Sequence, residues 1–141
     1  MVRPVTGPHR IVNPESLSPA VGFAHAVVAA PGRTVYLGGQ TAHDGEGRLQ
    51  GETLVEQFDA TLANLVRALD AAGGRPEHLV SLHIFVTDAA AYRGSLQAIG
   101  GCYRRHLGRH FPAMALFEVS GLFDPDARVE VTGVAVVPDP G

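Results

Sequence analysis

The sequence predicts a single α/β domain, of the α+β type, in which two helices pack on one face of a mixed β-sheet. The chain has 141 residues, a length that suits one hydrophobic core. One segment has the apolar spacing of a long helix, and a second helical segment follows a strand-like segment rich in apolar residues. Further strand-like segments lie before the first helix and after the second. The predicted order is therefore β-β-α-β-α-β-β, in one domain that spans residues 1–141.

The first helix is predicted over residues 52–72 because its apolar side chains recur at spacings of three and four residues. These side chains are Leu54, Val55, Phe58, Leu62, Leu65, Val66 and Leu69. Gly73 and Gly74 favour the end of the helix, and Pro76 cannot continue it. One face of this helix should therefore be buried against the sheet.

The second helix is predicted over residues 89–107, with Thr87 or Asp88 as its N-cap residue. Gly100 and Gly101 lie inside it, and each weakens a helix by roughly 1 kcal/mol relative to alanine. We interpret this glycine pair as a place where the helix packs closely against a neighbouring element.

The strands are predicted from short apolar segments that end at turn residues. Residues 25–30 and 34–37 should form a hairpin across Pro31 and Gly32, after a short extended piece at residues 10–12. A polar loop is expected over residues 43–51.

Three more strands are predicted in the second half of the chain. Residues 79–86 should form a buried strand, with Leu82, Ile84 and Val86 on one face. The last two strands lie at residues 113–119 and 128–137. Because the two helices cover only one face of the sheet, its other face should find a partner, which predicts an oligomer.

The composition excludes several classes of protein. The net charge is −3, and all 11 basic residues are arginine, so we expect no nucleic-acid partner and no binding to an anionic membrane. Cys102 is the one cysteine, which rules out an internal disulfide and favours a reducing compartment. No apolar stretch is long enough to span a bilayer. We therefore expect a cytoplasmic protein whose residues 1–9 form a loosely ordered N-terminal segment.

Several motifs, in the same order along the chain, carry a resemblance to a known family. They are GFAHAV at residues 22–27, TVYLGGQ at 34–40, IFVTD at 84–88, FPA at 111–113, FEV at 117–119 and VEV at 129–131. The resemblance runs from about residue 10 to residue 137, nearly the whole chain. The sequence resembles the RidA-like (YjgF) family, also described as reactive intermediate deaminases or as endoribonuclease L-PSP.

The resemblance implies a chorismate-mutase-like fold and a homotrimer whose sheets line a central barrel. It also implies three small-molecule clefts at the subunit interfaces, in which relatives hydrolyse enamines or imines to a keto compound and ammonia. Ribonuclease activity and inhibition of translation have also been ascribed to the family. No metal and no organic cofactor is implied.

Three residues match the family's cleft. Glu130 corresponds to the glutamate that helps to place the attacking water, and is the predicted catalytic residue. Phe23 corresponds to the aromatic residue that flanks the cleft, without the usual tyrosine hydroxyl. Gly39 corresponds to the glycine whose backbone approaches the ligand. By its residues alone, Glu130 is also compatible with an ordinary polar position between Val129 and Val131 on a strand.

The chain departs from the family at Met114, where the deaminating relatives carry an arginine that grips the substrate carboxylate. A thioether has no charge and cannot replace that bidentate contact. Met114, Leu116 and Phe23 would then make an apolar wall, and backbone groups near Ala115 would hold the ligand. Arg128 is a conceivable substitute for the missing cation, and Met114 is alternatively a core residue.

The remaining titratable side chains are interpreted as structural. His106 and His110 have the spacing of a helical metal pair, but no third ligand is evident, so a solvated helix end is expected and no metal site. His25 is interpreted as a structural histidine and Cys102 as a small packed residue.

Three functions remain open at this point. The first is an enzyme that adds water to a C=N bond, with Glu130 positioning the water. The second is a trimer that binds a small metabolite without catalysis. The third is a ribonuclease, which the acidic net charge disfavours.

Overall fold

The computed structural model describes residues 7–140. The strands are β1 (Arg10–Val12), β2 (Ala26–Val28), β3 (Gly32–Gln40), β4 (Leu79–Val86), β5 (Ala113–Glu118) and β6 (Val129–Pro138). The helices are α1 (Leu54–Ala71), α2 (Ala89–Arg93) and α3 (Leu96–Leu107), and a single 3-10 turn covers Pro76–His78. This is the predicted mixed α+β architecture.

A four-stranded sheet in the order β3-β6-β4-β5 forms the centre of the fold. Strands β4 and β5 are parallel, and β6 is antiparallel to both of its neighbours. Helix α1 contacts β3 and β6 as well as α3, so the helices lie on one face of this sheet.

The core lies between that face and the helices. Leu82, Ile84 and Val86 are buried there, which confirms the predicted inner face of β4. Side chains that are 0% exposed come from both layers: Phe58, Leu65, Leu69, Leu79, Val86, Val129 and Val131. Burial of each such side chain contributes about 1.5–3 kcal/mol, so this layer dominates the stability of the domain.

The predicted hairpin between the first two apolar segments is wrong. Strand β2 pairs with β1, with Ile11 opposite Val27, whereas β3 pairs with β6, with Thr34 opposite Val136. The reason is length: β3 can pair along most of its nine residues with the ten-residue β6, but β2 has only three residues to offer. Gly32 permits this pairing because a Cβ at that position would overlap the carbonyl group of Val137.

Helix α1 agrees with its prediction, and its first turn shows why it begins where it does. Thr53 is the N-cap, and its hydroxyl accepts a hydrogen bond from the Glu56 amide at 3.2 Å. The Glu56 carboxylate accepts in return from the Thr53 amide at 3.0 Å. This reciprocal capping box satisfies two amides that the helix itself leaves without partners.

The predicted second helix is wrong as one continuous element. It is divided into α2 and α3 at Gly94, and Asp88 caps α2 as expected, accepting from the Ala91 amide at 3.0 Å. Gly100 remains helical, so the glycine that breaks the helix is Gly94, next to Ser95. The change of direction allows α3 to bury Ile99 and Cys102 against the core.

The outer face of the sheet, away from the helices, carries aromatic side chains. Phe85 and Phe117 stack with ring centroids 5.4 Å apart, and His83 meets Phe117 edge-on at 5.7 Å. Tyr36 on β3 is 81% exposed. An uncovered aromatic face of this kind is what the two-layer prediction anticipated.

Residues 1–6 of the expected loosely ordered segment lie outside the described residues. His9 is buried, and its Nε2 lies 2.9 Å from the carbonyl oxygen of Val136 and 3.1 Å from that of His78. Its Nδ1 accepts a hydrogen bond from the Ala30 amide, so Nε2 is the protonated nitrogen. None of the helices in the described range 7–140 has the length and apolar character of a membrane span.

An ion cluster between α1 and α3 makes stability depend on pH. The Asp59 carboxylate accepts hydrogen bonds from Arg105 Nη2 at 2.7 Å and from His106 Nε2 at 2.8 Å. Burial by itself would raise the pKa of Asp59, but these hydrogen bonds outweigh it and lower that pKa. Because the folded-state pKa is lowered, the ionised carboxylate stabilises the protein at pH values above the pKa of the unfolded carboxyl group. This stabilisation is lost as the pH falls through the folded-state pKa.

We predict that Asp59→Asn lowers the melting temperature at neutral pH and that its difference from wild type shrinks below about pH 4, where the unfolded carboxyl group is also protonated. Thermal unfolding of both proteins at about pH 7 and about pH 3 measures this. Asp70→Asn, at an exposed position near the end of α1, is the matched control. An equal difference at both pH values would contradict the prediction.

Candidate functional site

Glu130 and Gly39 lie against each other on the outer face of the β3–β6 pair. Val129 and Val131 are 0% exposed on the helix side, so Glu130 between them must point to the outer face. The β3–β6 register shifts between Leu37 and Gln40, and Gly39 lies in this irregular stretch. A Cβ at Gly39 would lie only 2.8 Å from Glu130 Cδ. Gly39 is therefore required for the carboxylate to occupy this place.

Glu130 lines an open cleft of about 630 Å³. The cleft is also lined by Thr41, His43, Gly47, Phe123, Asp124 and Pro125. Phe123, at its mouth, is fully exposed. The loops after β3 and before β6 form the two walls, so the cleft exists because these strands are paired.

Three side chains of the cleft form a continuous series of hydrogen bonds, the Thr41–His43–Asp124 chain. Thr41 Oγ1 lies 2.6 Å from His43 Nδ1, and His43 Nε2 lies 2.9 Å from Asp124 Oδ2. The backbone hydrogen bond from Asp126 and then the contact with His43 lower the pKa of Asp124, which is therefore an ionised acceptor at neutral pH. His43 Nε2 must then donate to it, and in the neutral ring Nδ1 accepts from the Thr41 hydroxyl.

Helix α1 holds the first part of this chain in place. The side-chain amide of Asn64 donates to the carbonyl oxygens of Thr41 at 2.9 Å and of His43 at 2.7 Å. His43 lies in the predicted polar loop, and its contact with Asp124 was not predicted. His43 and Asp124 are 81 positions apart, and the sequence contains no local signal that would have paired them.

The other predicted site residues gather around β5. Met114 packs against the core and lines a groove with aromatic residues, chiefly Tyr92 of α2, Tyr103 of α3 and Phe111, which lies between α3 and β5. Leu116 is on the same face of β5 and is 38% exposed, whereas Ala115 faces the other way, next to His83.

Phe23 lies next to the start of β5. The amide of the following residue, Ala24, donates to the Pro112 carbonyl at 3.0 Å, and Ala24 forms a bridge with Ala113. The Phe23 ring meets the His25 ring edge-on at 5.1 Å. The neighbouring Gly22 lines the groove that contains Met114.

The predicted site residues therefore form two groups that one chain does not bring together. Met114 is on the helix face of β5, paired with Leu82, whereas Glu130 is on the outer face of β6, paired with Phe85. Strand β4 separates them. A cleft that uses both groups requires two copies of the chain.

Arg128 does not line the cleft of Glu130. Its Nε donates to the Glu52 carbonyl at 2.7 Å, and its backbone amide donates to Gln57 Oε1 at 2.7 Å. It borders a different depression near the start of α1, together with Thr87 and Ser120. The Arg128 guanidinium thus ties β6 to the start of α1.

The remaining histidines have structural contacts. His25 Nε2 lies 2.7 Å from the Ser18 carbonyl oxygen, which agrees with a structural interpretation. His106 binds Asp59, but His110 is buried past the end of α3 with its Nε2 2.7 Å from the Leu79 carbonyl oxygen. The expected solvated helix end is therefore wrong for His110, because the turn after α3 directs it inward.

Cys102 is buried in α3, in agreement with its interpretation as a packed residue, and burial and then the nearby Asp59 raise the pKa of its thiol. Within residues 7–140, no three His, Cys, Asp or Glu side chains are close enough together to hold a metal ion.

Comparison with known proteins places these features in a family. Residues 14–137 match the family model described as endoribonuclease L-PSP. A structure of YyfB from Yersinia pestis, described as a protein of unknown function in the conserved Rid protein family, is 32% identical. The match covers 92% of this chain and 99% of that one, with a TM-score of 0.84.

Two further structures agree. A member of the YjgF/YER057c/UK114 family from Mycobacterium tuberculosis is 27% identical over 92% of this chain and 99% of that one, with a TM-score of 0.62. A Thermotoga maritima protein described provisionally as an endoribonuclease is 26% identical over 90% and 93%, with a TM-score of 0.66. The chain belongs to the Rid (YjgF/UK114) family, whose sequence model carries the description endoribonuclease L-PSP.

Proposed function

We propose that this protein is a homotrimeric hydrolase that adds water to the C=N bond of an imine, or of the imine formed from an enamine, and releases a keto compound and ammonia. The observation that carries the proposal is the Glu130 carboxylate held against Gly39 in an open cleft that also contains Asp124. Family membership supports the same reaction class. We further propose that the protein works in the cytoplasm, since its single cysteine is a free buried thiol.

The charges of the cleft suit this chemistry. Its lining contains two carboxylates and no arginine, so it favours a ligand that is or becomes positively charged, such as a protonated imine. Glu130 accepts a hydrogen bond from water and holds its oxygen towards the electrophilic carbon. A C–O bond forms, the C–N bond breaks, and the protons of water accompany the nitrogen as ammonia.

Met114 indicates the class of substrate. It replaces a cation that would bind a substrate carboxylate, and losing such a pair in a partly buried site costs about 2–5 kcal/mol. The groove beside it is lined mainly by apolar and aromatic side chains, chiefly Tyr92, Tyr103 and Phe111, and Arg104 is the charged residue of its lining. The substrate we propose is a bulky apolar imine without a carboxylate next to its C=N carbon.

The assembly follows from the outer face of the sheet. Tyr36, Phe85, Phe117 and His83 present aromatic surface there, and burial of such surface drives association. Three copies that join through this face would bring Met114 of one subunit towards Glu130 of the next. The cleft is then complete only in the oligomer.

A second candidate is a trimer that binds a metabolite without converting it. The apolar side chain at Met114 favours it, because it removes the family's grip on the substrate but leaves a groove. The ribonuclease description of relatives is the weakest candidate, because the net charge of −3 opposes a polyanion.

The first prediction about function separates an enzyme from a protein that only binds its ligand. Wild-type protein should accelerate ammonia release from bulky apolar imines, generated in place by an amine oxidase. Glu130→Gln should lower that acceleration by about 10²–10⁴-fold, the usual contribution of a positioned acid–base group. Glu15→Gln, at an exposed position, is the matched control. Wild-type rates equal to those in buffer with every imine tested would refute the imine hydrolase and favour the binding candidate.

The second prediction concerns Met114. Wild type should hydrolyse 2-iminobutyrate barely above background, because Met114 offers no charge to hold and orient its carboxylate. Met114→Arg should gain activity with this substrate, whereas Met114→Leu, which restores no charge, should not. Steady-state ammonia release from enzymatically generated 2-iminobutyrate measures all three proteins. Robust wild-type turnover would show that another group binds the carboxylate.

The third prediction concerns assembly. Sedimentation equilibrium at micromolar concentrations should give a trimer. Phe117→Asp should shift it towards monomer, because a charge would have to be buried beside Phe85. Leu17→Asp, at another exposed apolar position, should leave the trimer unchanged. A monomeric wild type would contradict the prediction, because no cleft could then be shared between subunits.

A further inference from the structure

We propose that Thr41 is a catalytic residue of the Glu130 cleft and that its hydroxyl, aligned by His43 and Asp124, relays a proton between the attacking water and the departing nitrogen. This inference rests on the proposed imine hydrolysis and assigns a role to residues that the resemblance left unassigned. In this scheme His43 and Asp124 are positioning residues, because they act through the Thr41 hydroxyl.

The directions of the hydrogen bonds make the Thr41 hydroxyl a donor to His43. Asp124 Oδ1 accepts from the Asp126 amide at 2.9 Å, and Oδ2 faces His43 Nε2 at 2.9 Å. An ionised carboxylate has no proton to give, so the ring donates from Nε2. In the neutral ring, the unprotonated Nδ1 then faces Thr41 Oγ1 at 2.6 Å and accepts its hydrogen bond. This is the arrangement of an activated hydroxyl: a base within reach, oriented by a third group.

Thr41 and Glu130 lie in the same cleft, at the end of the β3–β6 pair. Gln40 is paired with Val131 at the end of the β3–β6 pair, and Thr41 and Glu130 are the next residues along the two antiparallel strands. Both line the same cleft. The hydroxyl and the carboxylate therefore border the space in which a water would meet a C=N carbon.

The charges decide what an activated hydroxyl does there. Attack by Thr41 itself on an ester or amide would build a negative oxygen beside the carboxylates of Glu130 and Asp124, which would oppose it. A protonated imine carries positive charge, which the same carboxylates stabilise. The hydroxyl is thus suited to moving protons during imine hydrolysis and unsuited to acyl transfer.

The proposed step balances with water as the sole co-reactant. Water held by Glu130 adds to the carbon of the protonated imine and passes a proton to Thr41 Oγ1 as the hydroxyl proton moves to His43 Nδ1. The resulting imidazolium is paired with Asp124. Reversal of the relay protonates the amine nitrogen of the tetrahedral adduct and the C–N bond breaks. The adduct's hydroxyl proton passes to the Glu130 carboxylate as the C=O bond forms, and from there to ammonia, which leaves as ammonium.

A purely structural role for the Thr41–His43–Asp124 chain is the competing explanation, because these hydrogen bonds also connect the loop after β3 to the loop before β6. Asn64 already anchors the first of these loops through two backbone carbonyls. Loss of the Thr41 hydroxyl should therefore leave the loop in place. The two roles differ in what they predict for kcat in a protein that remains folded.

The test compares Thr41→Val, Thr41→Ser and wild type with a bulky apolar imine as substrate. Thr41→Val removes the hydroxyl at nearly constant volume and should lower kcat by about 10²-fold or more with little change in KM. Thr41→Ser keeps the hydroxyl and should retain most of kcat. Thr61→Val is the matched control, because the buried Thr61 hydroxyl has no hydrogen-bond partner among the described residues and lies in α1.

Nitrogen-15 NMR of the imidazole rings provides a readout that does not depend on activity. In wild type the His43 ring should be protonated at Nε2. In Asp124→Asn the new side-chain amide can donate to Nε2, which should move the proton to Nδ1 and reverse the hydrogen bond with Thr41. This variant should then have a lower kcat, although its melting temperature should remain above the assay temperature.

The outcomes separate the two proposals. No imine hydrolysis by wild type would overturn the proposed function and, with it, the relay. An active wild type with an equally active Thr41→Val would overturn the relay alone. A wild-type His43 protonated at Nδ1 would also overturn it, since the hydroxyl would then be an acceptor. If Thr41→Val unfolds below the assay temperature, Thr41→Ser and Asp124→Asn test the relay in its place. Full kcat in Asp124→Asn would refute the relay.

Discussion

The pairing of β6 with β3 on one side and β4 on the other is the interaction on which the rest of the molecule depends. Strand β6 alternates buried apolar residues with residues on the outer face, and this alternation sets its register against both neighbours. A slip by one residue would exchange the faces, bury the Glu130 carboxylate and expose Val129 and Val131. At Gly133 a Cβ would lie 3.0 Å from Leu82 Cδ2, so a larger residue there would have to displace the Leu82 side chain.

The same pairing produces the chemical features of the cleft. The irregular register between Leu37 and Gln40 places Gly39 against Glu130, and the end of the paired region delivers Thr41 and His43 into the loop that follows. The loop that leads into β6 supplies Asp124. Packing, register and chemistry are therefore linked: the hydrophobic alternation of one strand positions a carboxylate, and its flanking loops supply the hydrogen-bonded chain.

The division of the site between two faces connects the fold to assembly. A sheet with helices on one face leaves the other face uncovered, and in this chain that face carries the stacked Phe85 and Phe117. Met114 and Glu130, separated by β4 and by the plane of the sheet, can act on one ligand only when they come from different copies. Stability through association and completion of the cleft would thus have one physical origin, the uncovered face.

Local information in the sequence was sufficient for α1, for β4 with its buried face, for the Asp88 cap and for the family, because each depends on residues a few positions apart. The pairing of β3 with β6 and the break at Gly94 depended on competition between distant partners. Local turn signals therefore gave the wrong prediction for both. The candidate site divides in the same way: the family resemblance predicted Glu130 and Gly39 as site residues, but it predicted neither their contact nor the Thr41–His43–Asp124 chain. A hydrogen bond between side chains 81 positions apart leaves no periodic trace in the sequence, and only the tertiary structure, through the pairing of β3 and β6, brings them together.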